Sequence, residues 1–324
     1  MDTFKSNNSM KADSVFVPTT ALKLNNLVKR YGDFTAVSDL SLEVPKGSIY
    51  GFLGPNGAGK TTTIRMILDI VKPSSGDITI LGASSAMDVR NRIGYLPEEK
   101  GLYKKMKAWA VIAYFARLKG MPSSEAKPRA LELLERYGLG DFANAKVETL
   151  SKGMGQKVQV LASIAHRPDF VILDEPFSGL DPSNQQVMEQ VISDLNKEGA
   201  TIIFSTHVMS HAERICDRIL LIASAKKVFD GTVQEAKDLL PPRVRVAGDF
   251  SAAQLIELPS VNDCNIDDDG MLNIDISSGC TPQQLMSECF DAQLTLESFE
   301  YRQPDLHDVF LHLVGEEAKV ATLR

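Results

Sequence analysis

Eight consecutive residues carry the densest chemistry in this 324-residue chain. Gly54-Pro55-Asn56-Gly57-Ala58-Gly59-Lys60-Thr61 fits the spacing G-x-x-x-x-G-K-[ST] of a phosphate-cradling loop. Glycines let a backbone curl until successive N–H groups face one point, which makes an anion nest. A helix starting near Lys60 adds the positive end of its dipole. Lys60 can reach the β- and γ-phosphates of a bound nucleotide, Thr61 supplies a hydroxyl for Mg²⁺, and Thr62 can reach the α-phosphate. About 115 residues downstream, Phe170-Val171-Ile172-Leu173 runs into Asp174-Glu175. An apolar strand ending in Asp places a carboxylate where it can order Mg²⁺ or its waters. Glu175 then lies past the strand end, where it could polarise a water for in-line attack. An apolar run followed by Asp-Glu is common by itself, and the upstream loop is what gives this one its meaning.

Such a site needs a strand before the loop and a helix after it. Residues 48–53 are apolar enough for a buried strand, and Ile64, Ile67, Leu68 and Val71 share one face of a helix behind the loop. Further strands are expected at 22–28, 41–44, 77–81 and 93–96. The stretch from about 99 to 167 is helical in pattern, with helices over 107–119, 124–137 and 152–166. Strands at 170–173, 201–204 and 219–222 alternate with helices, including one over 184–198. That alternation predicts an α/β fold with a parallel sheet, interrupted by a helical subdomain. Beyond Pro241-Pro242 the pattern changes to strands at 244–246, 271–276 and 294–299 with helices at 281–291 and 306–313, a small α+β unit.

Charge marks the same boundary. The chain has 35 Lys/Arg against 42 Asp/Glu, a net of −7. Residues 1–240 hold 30 and 27 of these, a net of +3, and residues 241–324 hold 5 and 15, a net of −10. No global basic field exists to hold nucleic acid, so no nucleic-acid partner is expected. No apolar run reaches the roughly 18–20 residues of a membrane span. The polar N-terminus lacks the apolar segment of a secretory signal and reads as a flexible extension over 1–20. Cys216, Cys264, Cys280 and Cys289 have no CxxC spacing and read as reduced thiols. Asp267-Asp268-Asp269-Gly270 lacks the rest of a Ca²⁺-loop spacing and reads as a hairpin turn.

With these residues in place, the chain resembles the nucleotide-binding subunit of an ATP-binding cassette (ABC) transporter over about residues 21–240. Further features recur in that family's order. Leu150-Ser151-Lys152-Gly153-Met154 stands where the family signature L-S-G-G-Q belongs, with Lys152 and Met154 as departures. Ser151 opens a helix, and its hydroxyl and nearby N–H groups make a second anion site. Ser178-Gly179-Leu180-Asp181-Pro182 resembles the D-loop. His207, after the strand at 201–204, resembles the switch histidine that meets the γ-phosphate. Tyr31 falls where the family places an aromatic that stacks on adenine. Glu98, in Tyr95-Leu96-Pro97-Glu98-Glu99, occupies the position of a Gln that contacts Mg²⁺ and senses the membrane subunit.

The resemblance implies a P-loop NTPase core (ABC ATPase) with a helical subdomain at about 99–167 and an acidic accessory domain over 241–324. It implies ATP and Mg²⁺ as ligands, with Thr61, Asp174 and Glu98 near the metal. It implies Glu175 and His207 as the catalytic pair. ATP would lie between the phosphate loop of one subunit and Ser151, Gly153 and Asp181 of another, in a homodimer or with a related ATPase. The membrane permease must then be a separate polypeptide, and the subunit is expected peripherally on the cytoplasmic face of the cell membrane. The segment Val309-Phe310-Leu311-His312-Leu313-Val314-Gly315 resembles the tail of sodium- and drug-export-type ATPases. A soluble ABC ATPase working on ribosomes or DNA is the alternative. Such proteins usually carry two cassettes or long coiled coils, and this chain has one P-loop and no heptad array. A P-loop GTPase or kinase is the other alternative class, and a guanine-specific N-K-x-D is absent, since Asn196-Lys197-Glu198-Gly199 lacks the Asp.

Overall fold

The computed structural model describes residues 20–315, except Lys100, Leu102, Pro242, residues 267–269 and Ser278. All but Thr20 of the expected N-terminal extension, and the three aspartates of the expected 267–270 turn, lie outside the described residues. In chain order, β1 (Thr20–Tyr31) and β2 (Phe34–Pro45) form a long hairpin, and β3 (Ile49–Leu53) leads into the phosphate loop. Helix α1 (Lys60–Ile67) leaves that loop, followed by β4 (Ser75–Ile80) and β5 (Ile93–Leu96). The expected helical stretch holds α2 (Ala108–Leu118), α3 (Ser123–Arg136) and α4 (Lys152–Ile164). Then come β6 (Phe170–Asp174), α5 (Pro182–Lys197), β7 (Thr201–Thr206), α6 (Met209–Ile215), β8 (Arg218–Ala223), β9 (Lys226–Thr232) and α7 (Val233–Lys237).

The central sheet has the order β5-β6-β7-β3-β8-β9, parallel except for β9, which pairs antiparallel at the edge. Its parallel strands read as largely apolar runs because both faces are covered. Tyr50, Phe52, Phe170, Ile172, Ile203, Leu220 and Ile222 point into one core, shared with α1 and the antiparallel sheet β2-β1-β4. Their neighbours Leu53, Val171, Leu173, Ile202, Phe204, Ile219 and Leu221 point into a second core with α2, α3, α4 and α5. The period-two alternation of strands thus divides one apolar run between two layers. This is the α/β architecture with a parallel sheet that the alternation of elements predicts.

Past residue 241, β10 (Arg243–Gly248), α8 (Ala252–Ile256), β11 (Val261–Ile266), β12 (Leu272–Ile276), α9 (Pro282–Asp291) and β13 (Leu296–Arg302) form a separate unit. Its antiparallel sheet has the order β11-β12-β10-β13 over a core of Val244, Val246, Leu255, Ile274, Leu285 and Cys289. The last described helix, α10 (Leu306–Val314), departs from that unit. Leu306, Val309 and Phe310 are buried in the core of the central sheet instead, against α6 and α7. The Leu306 N–H donates to Glu213 at 3.3 Å, and Lys237 ion-pairs with the same carboxylate at 2.7 Å.

Candidate functional site

The phosphate loop turns at the C-terminal end of β3, between β7 and β8. Two glycines are required by geometry. Gly54 (φ 150°) lies so close to the Ile222 carbonyl that a Cβ would approach its oxygen to 2.1 Å, and a Cβ on Gly59 (φ 108°) would meet the Ala36 carbonyl at 2.4 Å. Both positions also have a φ that L side chains resist. Gly59 caps α1 without any side chain, so the first N–H groups of the helix face the loop unclaimed by a cap. Asn56, Gly57, Ala58, Gly59, Lys60, Thr61 and Thr62 line one cleft of about 330 Å³ together with Phe34, Ala36, Glu98 and Glu175.

Lys60 folds back over the loop and donates to the carbonyls of Gly54 at 2.6 Å and Pro55 at 3.1 Å. Its ammonium is 3.9 Å from Glu175. Burial pushes the Lys60 pKa down, and the charges of Glu175, Asp174 and Glu98 oppose that shift. A triphosphate would replace the two carbonyls as acceptors of this ammonium.

β6 and β7 pair in register with Asp174 opposite Ser205. The Ser205 hydroxyl donates to Asp174 Oδ1, and the Thr61 hydroxyl donates to the same oxygen at 3.4 Å. Asp174 is 1% exposed, and its Oδ2 is buried with no hydrogen-bond partner. An unpaired buried carboxylate oxygen is costly. Beside a threonine hydroxyl, this oxygen donor set fits a hard divalent cation, which typically takes one or two carboxylates and fills its remaining positions with water and phosphate.

Glu175 follows with φ 49°, a left-handed backbone rare outside glycine. Its N–H donates to Ser205 Oγ at 3.0 Å. The strained turn aims the carboxylate back across the strand end. There His207 Nδ1 lies 3.0 and 3.1 Å from the two carboxylate oxygens, which places the imidazole proton on Nδ1. Such a pair fixes a carboxylate as an orienter or base for water.

Ser151, Gly153 and Asp181 do not line this cleft, and Gly153 and Asp181 are linked through the Asn184 side chain. Ser151 Oγ caps α4 by accepting from the Met154 N–H at 3.2 Å. Asp181 caps α5, accepting from the Asn184 N–H at 2.9 Å and its side-chain amide at 2.7 Å. These bonds hold the Asp181 pKa below its ordinary value. A Cβ on Gly153 would sit 2.7 Å from that amide nitrogen, so a larger residue there would displace the Asn184 side chain. Lys152, one of the two departures from the family signature, extends over Gly179 of the D-loop.

Tyr31 is half-exposed beneath the Lys29 ammonium and does not line the cleft. Its hairpin partner Phe34 does, which sequence reading missed because cross-strand register was needed to see it. Ser205 was missed for the same reason: it lies 31 positions from Asp174 and is joined to it only by sheet pairing.

A phosphate loop after the central strand of a parallel sheet, with an acidic strand end two strands away, defines a P-loop nucleoside triphosphatase. The family profile described as ABC transporter matches residues 37–178, and the one described as ATP-binding protein DrrA1-3-like, C-terminal domain, matches residues 231–314. The uncharacterized ABC transporter ATP-binding protein YhaQ of Bacillus subtilis is 37% identical over 91% of this chain and 98% of its own length. The daunorubicin/doxorubicin resistance ATP-binding protein DrrA of Streptomyces peucetius is 33% identical over 93% of this chain and 94% of its own. A dimeric ATP-binding cassette, MJ0796, solved in a post-hydrolysis state with ADP and Pi, superimposes with TM-score 0.60 at 25% identity, covering 65% of this chain and 98% of that one. The chain belongs to the ABC transporter ATP-binding protein family, and it is an ATP-binding, ATP-hydrolysing subunit.

Proposed function

We propose that this subunit powers export through a separate membrane permease by closing as a dimer around ATP, either with its own copy or with a related ATPase. The unpartnered Asp174 oxygen beside Thr61 is the observation that carries the catalytic part. Thr61, Asp174 and Glu98 would hold Mg²⁺, which when bound offsets negative charge on the phosphates. Lys60 and the N–H groups of the loop bind the triphosphate. His207 holds Glu175 in place, and Glu175 accepts a proton as the water oxygen bonds to the γ-phosphorus and the bond to the bridging oxygen of ADP breaks. Ser151 and Gly153 form the half-site offered to the other subunit's nucleotide.

The permease contact is best supported at the seam of the helical subdomain. Tyr95, Pro97, Phe115 and Gln159 line a groove of about 210 Å³ there. Exposed Tyr103 and half-exposed Tyr114 pack edge-on beside it, 5.5 Å between ring centroids. Exposed aromatic clusters next to grooves are common at protein interfaces. No helix among the described residues is long and apolar enough to cross a membrane. The drug-resistance function in the name of the Streptomyces relative supports export as the direction.

The test is Glu175→Gln, which keeps shape and removes the basic oxygen. ATPase turnover should fall roughly 10²- to 10⁴-fold, the usual worth of a positioned acid–base group. ATP should remain bound and dimer should accumulate in size-exclusion chromatography. Turnover within threefold of the parent would remove Glu175 from the chemistry.

A further inference from the structure

Two glutamines one turn apart on α4 bond the backbone just past two residues that line the nucleotide cleft. Gln156 donates to the Pro176 carbonyl at 3.5 Å, one residue past Glu175. Gln159 donates to the Glu99 carbonyl at 3.2 Å, one residue past Glu98. Their exposures are 4% and 7%. A buried amide left without partners costs about 1–3 kcal/mol, so a glutamine at such a site is tied to the contact it makes. The hydrolytic reading above uses Glu98 at the metal but leaves Gln159 without a role.

We propose that Gln159 is a positioning residue. It anchors the segment after β5 to the signature helix, holds Glu98 toward the cleft, and so ties the divalent-cation side of the cleft to this chain's own Ser151/Gly153 half-site. The inference rests on Glu98 acting near the metal. Glu98 lines the cleft, and its charge reaches both Lys60 and Tyr95. The anchored segment crosses α4, because Pro97, Gly101 and Gln159 line the same groove. α4 is an uninterrupted helix from Lys152 to Ile164, capped by Ser151. From Ser151 to Gln159 is about 12 Å along the helix axis at 1.5 Å per residue. Within that span a packed helix moves as one body, so a shift of Glu98 either carries the half-site with it or breaks the Gln159 bond. In a dimer the half-site serves the other nucleotide, which gives the two clefts a mechanical link.

The experiment uses the full chain and reads binding rather than turnover. A fluorescent N-methylanthraniloyl ATP is titrated with Mg²⁺ on the parent, Gln159→Met, Glu98→Ala and the double variant. Methionine keeps the length of glutamine and cannot donate. Gln159→Met should raise the half-saturating Mg²⁺ about three- to tenfold, the worth of one hydrogen bond. In the Glu98→Ala background, which has no oxygen to offer the metal, the same change should have no effect. Gln159→Asn, too short to reach the carbonyl, should reproduce the shift and serves if the methionine variant melts early. Equal shifts in both backgrounds, or no shift with either Gln159 variant, would overturn the proposal. So would a Glu98→Ala curve identical to the parent's, which leaves the ATPase reading intact. A parent that binds no ATP would overturn both readings together.

Discussion

At the start of α1, Lys60 is buried, donates to two loop carbonyls and lies close to Glu175. At the start of α4, Ser151 is exposed, and among the described residues its hydroxyl engages the Met154 N–H of its own first turn. Both are helix N-termini suited to anions. One is enclosed by Phe34, Ala36, Glu98 and Glu175, and the other is flanked by a second exposed helix start at Asp181. The difference teaches what each can do alone. The α1 site has its own walls, charges and metal donors, so it can hold a nucleotide within one chain. The α4 site has donors and no enclosure, as a surface completed by another subunit should.

Substitutions at the two helix starts should therefore act differently. The largest effect is expected from Lys60→Ala, which removes a charge-assisted donor worth up to about 3 kcal/mol. Equilibrium dialysis should show ATP affinity reduced about a hundredfold. Ser151→Ala should leave ATP affinity of the isolated subunit within twofold. Turnover and ATP-driven dimer formation should fall about tenfold, beside a stability loss of roughly 1 kcal/mol from the lost cap. Equal loss of monomer affinity in both variants would erase the distinction.

A pH-dependent effect on stability is expected at the seam joining the two halves. His166, just beyond α4, donates from Nε2 to the Ile93 carbonyl at the start of β5, and its Nδ1 is buried without a partner. Burial, then the Lys119 charge, lowers its pKa from 6.5 to about 4. The folded state thus binds the proton less well than the unfolded state. This contribution is complete above pH 6.5 and falls away as pH drops toward 4, by on the order of 2 kcal/mol at pH 5. Urea unfolding of the parent should show that loss, and His166→Gln should flatten it. Parallel pH profiles for the two proteins would assign the acid sensitivity elsewhere.

The legible parts of this molecule are the local ones. A strand, a glycine loop and a helix follow one another within about twenty residues, so residues 48–67 could be read directly. Asp174 and Glu175 were legible as types, but the Ser205 hydroxyl that orients both depends on which strands pair and in what register. β9 escaped because Lys226, Lys227 and Asp230 make a polar edge strand without clean alternation. The apolar face of α10 was plain in the sequence, whereas its burial partner was not. Periodicity names the buried side of a helix and says nothing about which neighbour covers it.

That helix also sets a timetable for synthesis. The central sheet has all its strands once β9 is made, yet Leu306, Val309 and Phe310 are still to come. At translation rates of about 5–20 residues per second, the ribosome needs roughly 4–15 seconds more to deliver them. During that interval the nascent chain carries a bare apolar patch on α6 and α7. The appended acidic unit is made in the meantime, so it spaces that patch from the helix that will cover it.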